Sequence, residues 1–553
     1  MVRRHRLAKS APTIRFSKAA VVPLPDLSHL RHNLDAFAHA FKALGINHVV
    51  VSPGSRNAPI VAGFIRVGGF TMLSAPDERA AAFMALGSAQ AIGKPAVVIC
   101  TSGTAVLNLY PGICEAYYQR IPLIAISADR PENLIDQWDG QTIHQKDIFE
   151  KHILQGFHLD SDLHESGAEK ELLNHVARAT AISTGKPCGP VHINIPLKEP
   201  IYADLDTPVG TTFTLPELPS DAEKSLEKIP IPAEWMNTGK ILFLVGQHKP
   251  DENLRHVLRS VSQMFPVVTD VLSNAHSEET IGCTENMDMI SDVNRPDILI
   301  TMGMGVVSKN LKMQLRKLDI TSHFHLGDGG FTGDPFFTRP VTLQADAAAV
   351  LADWIQQYGG KADPYFLHAW KTVCNEVPNL HLESEIIRSI LKHIPENACL
   401  QLGNSMVVRY ANGCYKLPQT IFGNRGTSGI DGSVSTAIGY AWANPEQKVY
   451  CITGDIGFLY DKNAWWCNPL PKNILVIIIN NRGGMIFDRL HGPEKLPELR
   501  NFVHTPHLFE AKAIAEHYGV KYHAYKSEEW MHPTSNFSAF PEMSFGILEI
   551  FTA

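Results

Sequence analysis

From Leu27 onward the apolar residues Leu30, Leu34, Phe37, Phe41 and Leu44 recur at alternating steps of three and four, which predicts a helix with one buried face, stopped at Gly45. His48 to Ser52 is then a short β-branched run opening into Pro53-Gly54-Ser55-Arg56, the pattern of a strand feeding a tight loop. The same alternation recurs down the chain. Apolar runs at Ala96 to Cys100, Leu123 to Ser127, Val191 to Ile195, Ile241 to Val245, Ile298 to Met302, Val449 to Ile452 and Ile474 to Ile479 predict further strands. Most are separated by enough chain for a crossover helix, so the pattern is βαβ and the sheets should be largely parallel.

Residues 200 to 235 are rich in Pro, Thr, Asp and Glu and weakly periodic, as a surface linker would be. A second weakly patterned zone runs from about 357 to 380. These breaks divide the chain into three α/β units, 20–205, 206–370 and 371–553, each a doubly wound parallel-sheet domain. The outer two look alike in plan.

Length adds that 553 residues are too many for a small binding module. With 44% hydrophobic and 19% charged residues, the chain has the composition of a globular protein and not of a disordered or fibrous one. The net charge of −7 has the wrong sign for a general nucleic-acid or anionic-membrane binder, so any anion site must be local. Nine cysteines lie at least 14 positions apart, which excludes CxxC zinc and redox pairs and fits a reducing cytoplasm. No apolar run approaches the roughly 20 residues of a membrane span. Arg3, Arg4, Arg6, Lys9, Arg15 and Lys18 precede any acidic residue, and without an apolar segment beside them they read as a loose basic tail, with an organelle-targeting segment as the alternative.

In open parallel sheets ligands bind beyond the carboxyl ends of the strands. The loops at those places read SPGSRNAP (52–59), TSGTA (101–105), SADRP (127–131), GNS (403–405), GNRGTSGIDG (423–432), GDIG (454–457) and NNRGG (480–484). Glycine lets backbone amides approach an anion and arginine offers a planar charged fork, so the combination points to an anionic ligand. Gly454-Asp455 and Asn480-Asn481 each follow a predicted strand, 25 positions apart. If the strands are neighbours, about 4.8 Å apart, both loops can reach one ion. Asp455, the amide oxygen of Asn481 and a carbonyl such as that of Gly483 then supply the hard oxygens Mg²⁺ prefers. The competing explanation is a helix N-cap at Asp455 and a turn at Asn480-Asn481.

Gly-Asp followed by Asn-Asn at this interval resembles the metal-diphosphate signature of thiamine diphosphate enzymes, with Ile456 where many members have another glycine. The resemblance covers most of the chain, through SPGSRNAP, DERAAAFMALGSA, TSGTAVLNLYP, SADRPENLID, GNSMVVR, NRGTSGIDG, GDIGFLYDKNA and NNRGGMIF. It narrows to the members acting in menaquinone biosynthesis. It implies a pyrimidine-binding domain, a middle domain and a diphosphate-binding domain, paired in a homodimer or dimer of dimers. The implied cofactors are thiamine diphosphate and Mg²⁺ or Mn²⁺. The implied reaction is decarboxylation of 2-oxoglutarate and 1,4-addition of the remaining fragment to isochorismate.

By resemblance Glu78 is the catalytic carboxylate facing the aminopyrimidine, and Ile430 is the bulky prop that bends the cofactor. Ser405, Gly454, Asp455, Ile456, Asn481, Gly483, Met485 and Ile486 are the further cofactor-binding positions, with Asp455, Asn481 and Gly483 holding the metal. Both implied substrates are polycarboxylates, for which bidentate arginine is a natural partner. Ser55, Arg56, Arg130, Gln141, Arg409 and Arg425 match the family's substrate contacts, as does Ser405. Lys309 is a looser match, since Asn310 stands where the family can show a second cation. Ile486, Phe487 and Leu490 align with an apolar wall on the isochorismate side. The runner-up is an acetolactate synthase-like carboligase or another 2-oxoacid decarboxylase, which the four arginines disfavour. A Rossmann dinucleotide site after Met302 fails because its third glycine position is Ser308.

Overall fold

The computed structural model describes residues 27–202, 214, 230–282, 290–375 without 328 and 331, 381–413, 417–489, 498, 502–532 and 543–552. The basic N-terminal segment and Leu490 lie outside the described residues.

Among these residues the chain forms three six-stranded sheets, each paired throughout in parallel. The first contains β1 (His48–Val51), β2 (Thr71–Ser74), β3 (Ala96–Cys100), β4 (Leu123–Asp129), β5 (Gln155–His158) and β6 (Pro190–Pro196) in the order β2-β1-β3-β4-β6-β5. The second contains β7 (Ile241–Val245), β8 (Val267–Thr269), β9 (Ile281–Gly282), β10 (Ile298–Met302), β11 (Ser322–Gly327) and β12 (Val341–Gln344) in the order β12-β11-β10-β7-β8-β9. The third contains β13 (Cys399–Leu402), β14 (Thr420–Phe422), β15 (Val449–Gly454), β16 (Ile474–Asn480), β17 (Tyr522–Lys526) and β18 (Gly546–Phe551) in the order β14-β13-β15-β16-β18-β17. The first and third sheets therefore share one topology, and the middle sheet has another.

The central strands β3, β4, β7, β10 and β16 are buried along their whole length, which is why their sequences read as unbroken apolar runs. The edge strands β2, β12 and β17 are only partly covered and carry polar residues. The zone from 357 to 380, read from sequence as weakly patterned, holds the helix Pro364–Asn375. Its Phe366, Trp370 and Val373 are buried in the core of the middle sheet, and Trp370 donates to the Asn294 carbonyl at 3.1 Å. The stretch read as a linker likewise contains a core residue, Trp235, packed edge-to-face on Trp354 with ring centroids 6.0 Å apart.

The first and third units are welded through helices Glu78–Ile92 and Ser433–Ala443, and residues of both share one apolar core. The helices cross at small residues: a Cβ at Gly87 would run into the Thr436 carbonyl, and one at Gly439 into that of Met84. The weld fixes the N-terminus of Glu78–Ile92 against the third unit. Asp77 accepts from Asn463 Nδ2 at 2.8 Å, and Arg79 donates to the Tyr460 carbonyl at 2.8 Å.

Candidate active site

The structure places most of the residues singled out from sequence in two groups, one at the carboxyl end of each outer sheet; Lys309 lies on the middle unit. In the first, Asp77 caps the helix by accepting from Ala80 N, which makes Glu78 its first residue. Glu78 is half-buried and lines a cavity of about 430 Å³ with Thr101 to Ala105, Asn108, Asp139 and Gln141 to Ile143. Burial, with a smaller push from Asp77, holds the Glu78 carboxyl above its ordinary range against one opposing backbone hydrogen bond. Thr101 Oγ1 and Ser102 Oγ are buried without a hydrogen-bond partner among the described residues. Gly103 has φ +84°, and its N–H donates to Gln145 Oε1 at 2.9 Å. Gln145 also donates to the Ala128 carbonyl and to Asn194 Oδ1, tying the loop after β3 to the end of β4.

Arg130 directs its guanidinium onto the Gly140 carbonyl at 3.0 Å and pairs with Asp139 at 3.3 Å, so it braces the loop carrying Gln141. Gln141 itself is exposed, with φ +56°. Arg56 is buried, donates to the Leu197 carbonyl at 2.9 Å and pairs with Glu199 at 2.9 Å. Ser55 is exposed, and its carbonyl accepts from the Tyr202 hydroxyl. In this structure Arg56 and Arg130 are thus engaged by the protein's own groups.

The second group begins with the adjacency the metal reading required. β15 and β16 are neighbours, with Gly454 opposite Ile479, so Asp455 and Asn481 leave adjacent strands at the same end. Asp455 is buried; its Oδ1 accepts from Ile456 N at 2.7 Å, and its Oδ2 from Gly483 N at 3.0 Å and His507 Nε2 at 3.1 Å. Burial raises its carboxyl above the ordinary range, although those amides and His507 work the other way. Asn480 turns inward to Glu549, whereas Asn481 donates its amide N–H to Glu383 Oε1 at 2.9 Å. Asn481 Oδ1 is left buried and without a donor among the described residues.

A Cβ at Gly454 would meet nothing within 4 Å, so there is open space over the end of β15. Ile430 lies beside Gly457, at 3.8 Å from where a Cβ there would stand. Ser405 has φ +73° at the start of the helix Met406–Asn412. The neighbouring Asn404 donates to the Asn424 and Gly429 carbonyls and accepts from Arg425, locking the loops after β13 and β14 together. Met485 is partly exposed; Ile486 and Phe487 are half-buried on the short 3₁₀ turn Met485–Arg489.

Arg409 reaches the Val307 carbonyl of the middle unit at 3.5 Å. Burial, and then Arg409, lower the Arg425 guanidinium below its ordinary range, while Asp270 and Glu115 oppose this. Asp270 is buried, accepts from Val307 N and has its carboxyl pushed up to about 6 by burial. Lys309 is exposed at the start of the helix Lys309–Leu315. Lys312, three positions later on the same face, feels Arg425, Arg409 and Asp270; burial first, then the two arginines, lower its ammonium.

Sequence reading missed Lys312, although its spacing from Lys309 was a usable signal. It also missed the buried Glu115, which accepts from Gly426 N and Thr427 N at 2.7 Å and so anchors the Arg425 loop to the first unit. His507 and Glu383 were missed as well, and nothing in their local patterns marks them. Among the described residues no cluster of three His, Cys, Asp or Glu could hold a metal, and no helix is long and apolar enough to cross a membrane.

Residues 32–150 match the family model described as thiamine pyrophosphate enzyme, N-terminal TPP binding domain, and residues 403–536 match its C-terminal TPP binding domain. The chain is 37% identical over 537 residues to a 2-succinyl-5-enolpyruvyl-6-hydroxy-3-cyclohexene-1-carboxylate synthase of Cytophaga hutchinsonii, covering 92% of this chain and 94% of that one. Relatives of the same name from Flavobacterium psychrophilum and Desulfotalea psychrophila are 36% and 35% identical, covering 92% and 89% of this chain and 94% and 93% of theirs. With both thiamine pyrophosphate modules and near-full-length similarity, the chain belongs to the 2-succinyl-5-enolpyruvyl-6-hydroxy-3-cyclohexene-1-carboxylate synthase family of thiamine pyrophosphate-dependent, carbon–carbon bond-forming transferases.

Proposed function

We propose that this enzyme decarboxylates 2-oxoglutarate and adds the resulting four-carbon fragment to isochorismate, a step of menaquinone biosynthesis, using thiamine diphosphate held through Mg²⁺ or Mn²⁺. The observation carrying the metal reading is the pair of donors at the ends of adjacent strands: the Asp455 carboxylate and the Asn481 amide oxygen, buried and without a partner among the described residues, beside the Gly483 carbonyl, which also accepts from Met485 N at 3.0 Å. Such hard, oxygen-only donors suit Mg²⁺, which completes its shell from a diphosphate and water. The open space above Gly454 is where the diphosphate would lie. Asp455, Asn481 and Gly483 would hold the ion, and Ile430 would prop the cofactor's bend.

When bound, the cofactor supplies a nucleophilic thiazolium carbon and an electron sink for loss of carbon dioxide. The chain's own residues orient and exchange protons. Glu78, partly desolvated, would relay a proton through its carboxyl to the aminopyrimidine. Arg409 and Arg425, with Arg56, Arg130, Ser55, Gln141 and Ser405, would bind substrate carboxylates and hydroxyls. Lys309 would reach the same substrates from the middle unit. Ile486, Phe487 and Leu490 would wall off water. In this reading 20–205 is the pyrimidine-binding domain, 206–370 the middle domain and 371–553 the diphosphate-binding domain, except that the helix Pro364–Asn375, which crosses the second bound, packs with the middle domain. Two chains pair as a homodimer, alone or within a dimer of dimers, so that Glu78 of one serves the metal site of the other. The enzyme would work in the cytoplasm.

The test mixes protein, thiamine diphosphate, Mg²⁺, 2-oxoglutarate and isochorismate, and follows loss of isochorismate with release of carbon dioxide. Turnover of pyruvate in place of 2-oxoglutarate would instead favour an acetolactate synthase-like reaction.

A further inference from the structure

The amide of Asn481 can serve a cation only with its oxygen turned toward the ion, yet an amide side chain can flip. Something must break that symmetry. The helix Leu382–His393 brings Glu383 to the amide, buried to 7% exposure. Its Oε1 accepts from Asn481 Nδ2 at 2.9 Å, and its Oε2 accepts from the Tyr410 hydroxyl at 3.1 Å. Both Glu383 oxygens accept in this arrangement, so a flipped Asn481 would set oxygen against oxygen in a buried place. The arrangement leaves Asn481 Oδ1 buried and without a donor among the described residues, a costly state for an amide oxygen unless a ligand completes it.

We infer that Glu383 is a positioning residue for the metal site, which fixes the Asn481 amide so that its oxygen faces the divalent ion. The inference rests on the proposed role of Asn481 and extends it to a residue on a separate helix. Tyr410 occupies the second carboxylate oxygen and so directs the first onto the amide. Metal sites depend on such outer contacts, whose loss weakens binding by about 10- to 100-fold.

The experiment measures the Mn²⁺ dissociation constant by electron paramagnetic resonance titration, in the presence of thiamine diphosphate, together with the melting temperature of the metal-free protein. Glu383→Ala should raise the dissociation constant by about 10- to 100-fold. Glu383→Gln keeps the shape but can donate as well as accept, so it no longer forbids the flip and should also weaken Mn²⁺ binding, though less than Glu383→Ala. In an Asn481→Ala background Glu383→Ala should add nothing, because its effect passes through the amide. If Glu383→Ala does not fold, Glu383→Met carries the same cycle at similar volume. Wild-type Mn²⁺ affinity in the Glu383 variant, or an undiminished effect in the Asn481→Ala background, would overturn the inference alone. Wild-type affinity in Asn481→Ala itself would overturn the metal reading beneath it.

Discussion

Strands β3 and β15 hold the same place in their sheets, as do β4 and β16, but the loops that leave them differ in chemistry. After β3 come neutral hydroxyls, Thr101 and Ser102, and after β4 the carboxylate of Asp129 turns inward onto Arg130 N and Asn194. After β15 the carboxylate of Asp455 stays at the strand end, and after β16 Asn480 turns inward to Glu549 while Asn481 keeps an unpartnered oxygen. One topology thus builds a crevice twice, and the loops decide what each crevice binds. The first offers a half-buried acid, Glu78, beside unpartnered hydroxyls. The second offers a buried carboxylate and an amide oxygen, Asp455 and Asn481, at the end of the sheet that also carries Arg409 and Arg425. On the proposed function the first crevice moves protons and the second anchors charge, and the two should fail differently.

The largest difference should appear in turnover. Glu78→Gln removes the relay carboxyl while keeping shape, so kcat should fall by about 10²- to 10⁴-fold with thiamine diphosphate affinity unchanged. Rapid turnover in that variant would remove the acid role from the first crevice. Asp455→Ala should do the reverse in binding: calorimetric affinity for thiamine diphosphate with Mg²⁺ should fall by about 100-fold or more, beyond what loss of an outer contact costs. Equal cofactor binding by both variants would erase the division of labour.

Much of the fold beneath the two crevices was legible in the chain before folding. The buried strands β3, β7 and β10 have the bounds their apolar runs predict, because a strand covered on both faces must be apolar at every position. The edge strand β12 is exposed or half-buried at each position and so carries no comparable signal. At the site, Asp455 and Asn481 were readable because each follows a strong strand run within a glycine-containing loop. Glu383, His507 and Glu115 were not, because each acts across a long sequence separation: Glu115 serves Gly426, 311 positions away, and Glu383 serves Asn481, 98 away. A buried acid on a helix looks like any other helical acid until its partners arrive.

The arginines of the two crevices sharpen the contrast at intermediate size. Arg56 and Arg130 are held by Glu199 and Asp139, whereas Arg425 is held by the neutral Asn404, and the charge of Arg409 adds to burial in lowering its guanidinium against Asp270 and Glu115. On the proposed function, a substrate carboxylate entering the second crevice would relieve repulsion as well as form hydrogen bonds. Arg425→Ala should lower kcat/KM for 2-oxoglutarate and isochorismate by about 10- to 150-fold, the range of one charged hydrogen bond. The effect should lie in the second crevice alone, leaving thiamine diphosphate affinity at the wild-type value.

The smallest effect separates two lysines of the middle unit. Lys309 is exposed, whereas Lys312 lies where burial and the charges of Arg425 and Arg409 depress its ammonium, with only Asp270 in opposition. Removing Lys312 has opposite consequences in the two states of the enzyme. In the ligand-free protein Lys312→Met deletes a like charge from a crowded set and should slightly raise the melting temperature. If substrate carboxylates bind at Arg409 and Arg425 as proposed, it also removes a cation near them, so KM should rise by up to about fivefold with kcat nearly unchanged, as for a partly exposed pair. Lys309→Met, at an exposed position, should change both quantities less. If Lys309→Met raises KM more than Lys312→Met, the middle unit contacts substrate through the first residue of that helix, and the cation cluster around Asp270 serves only to dock the middle unit on the third.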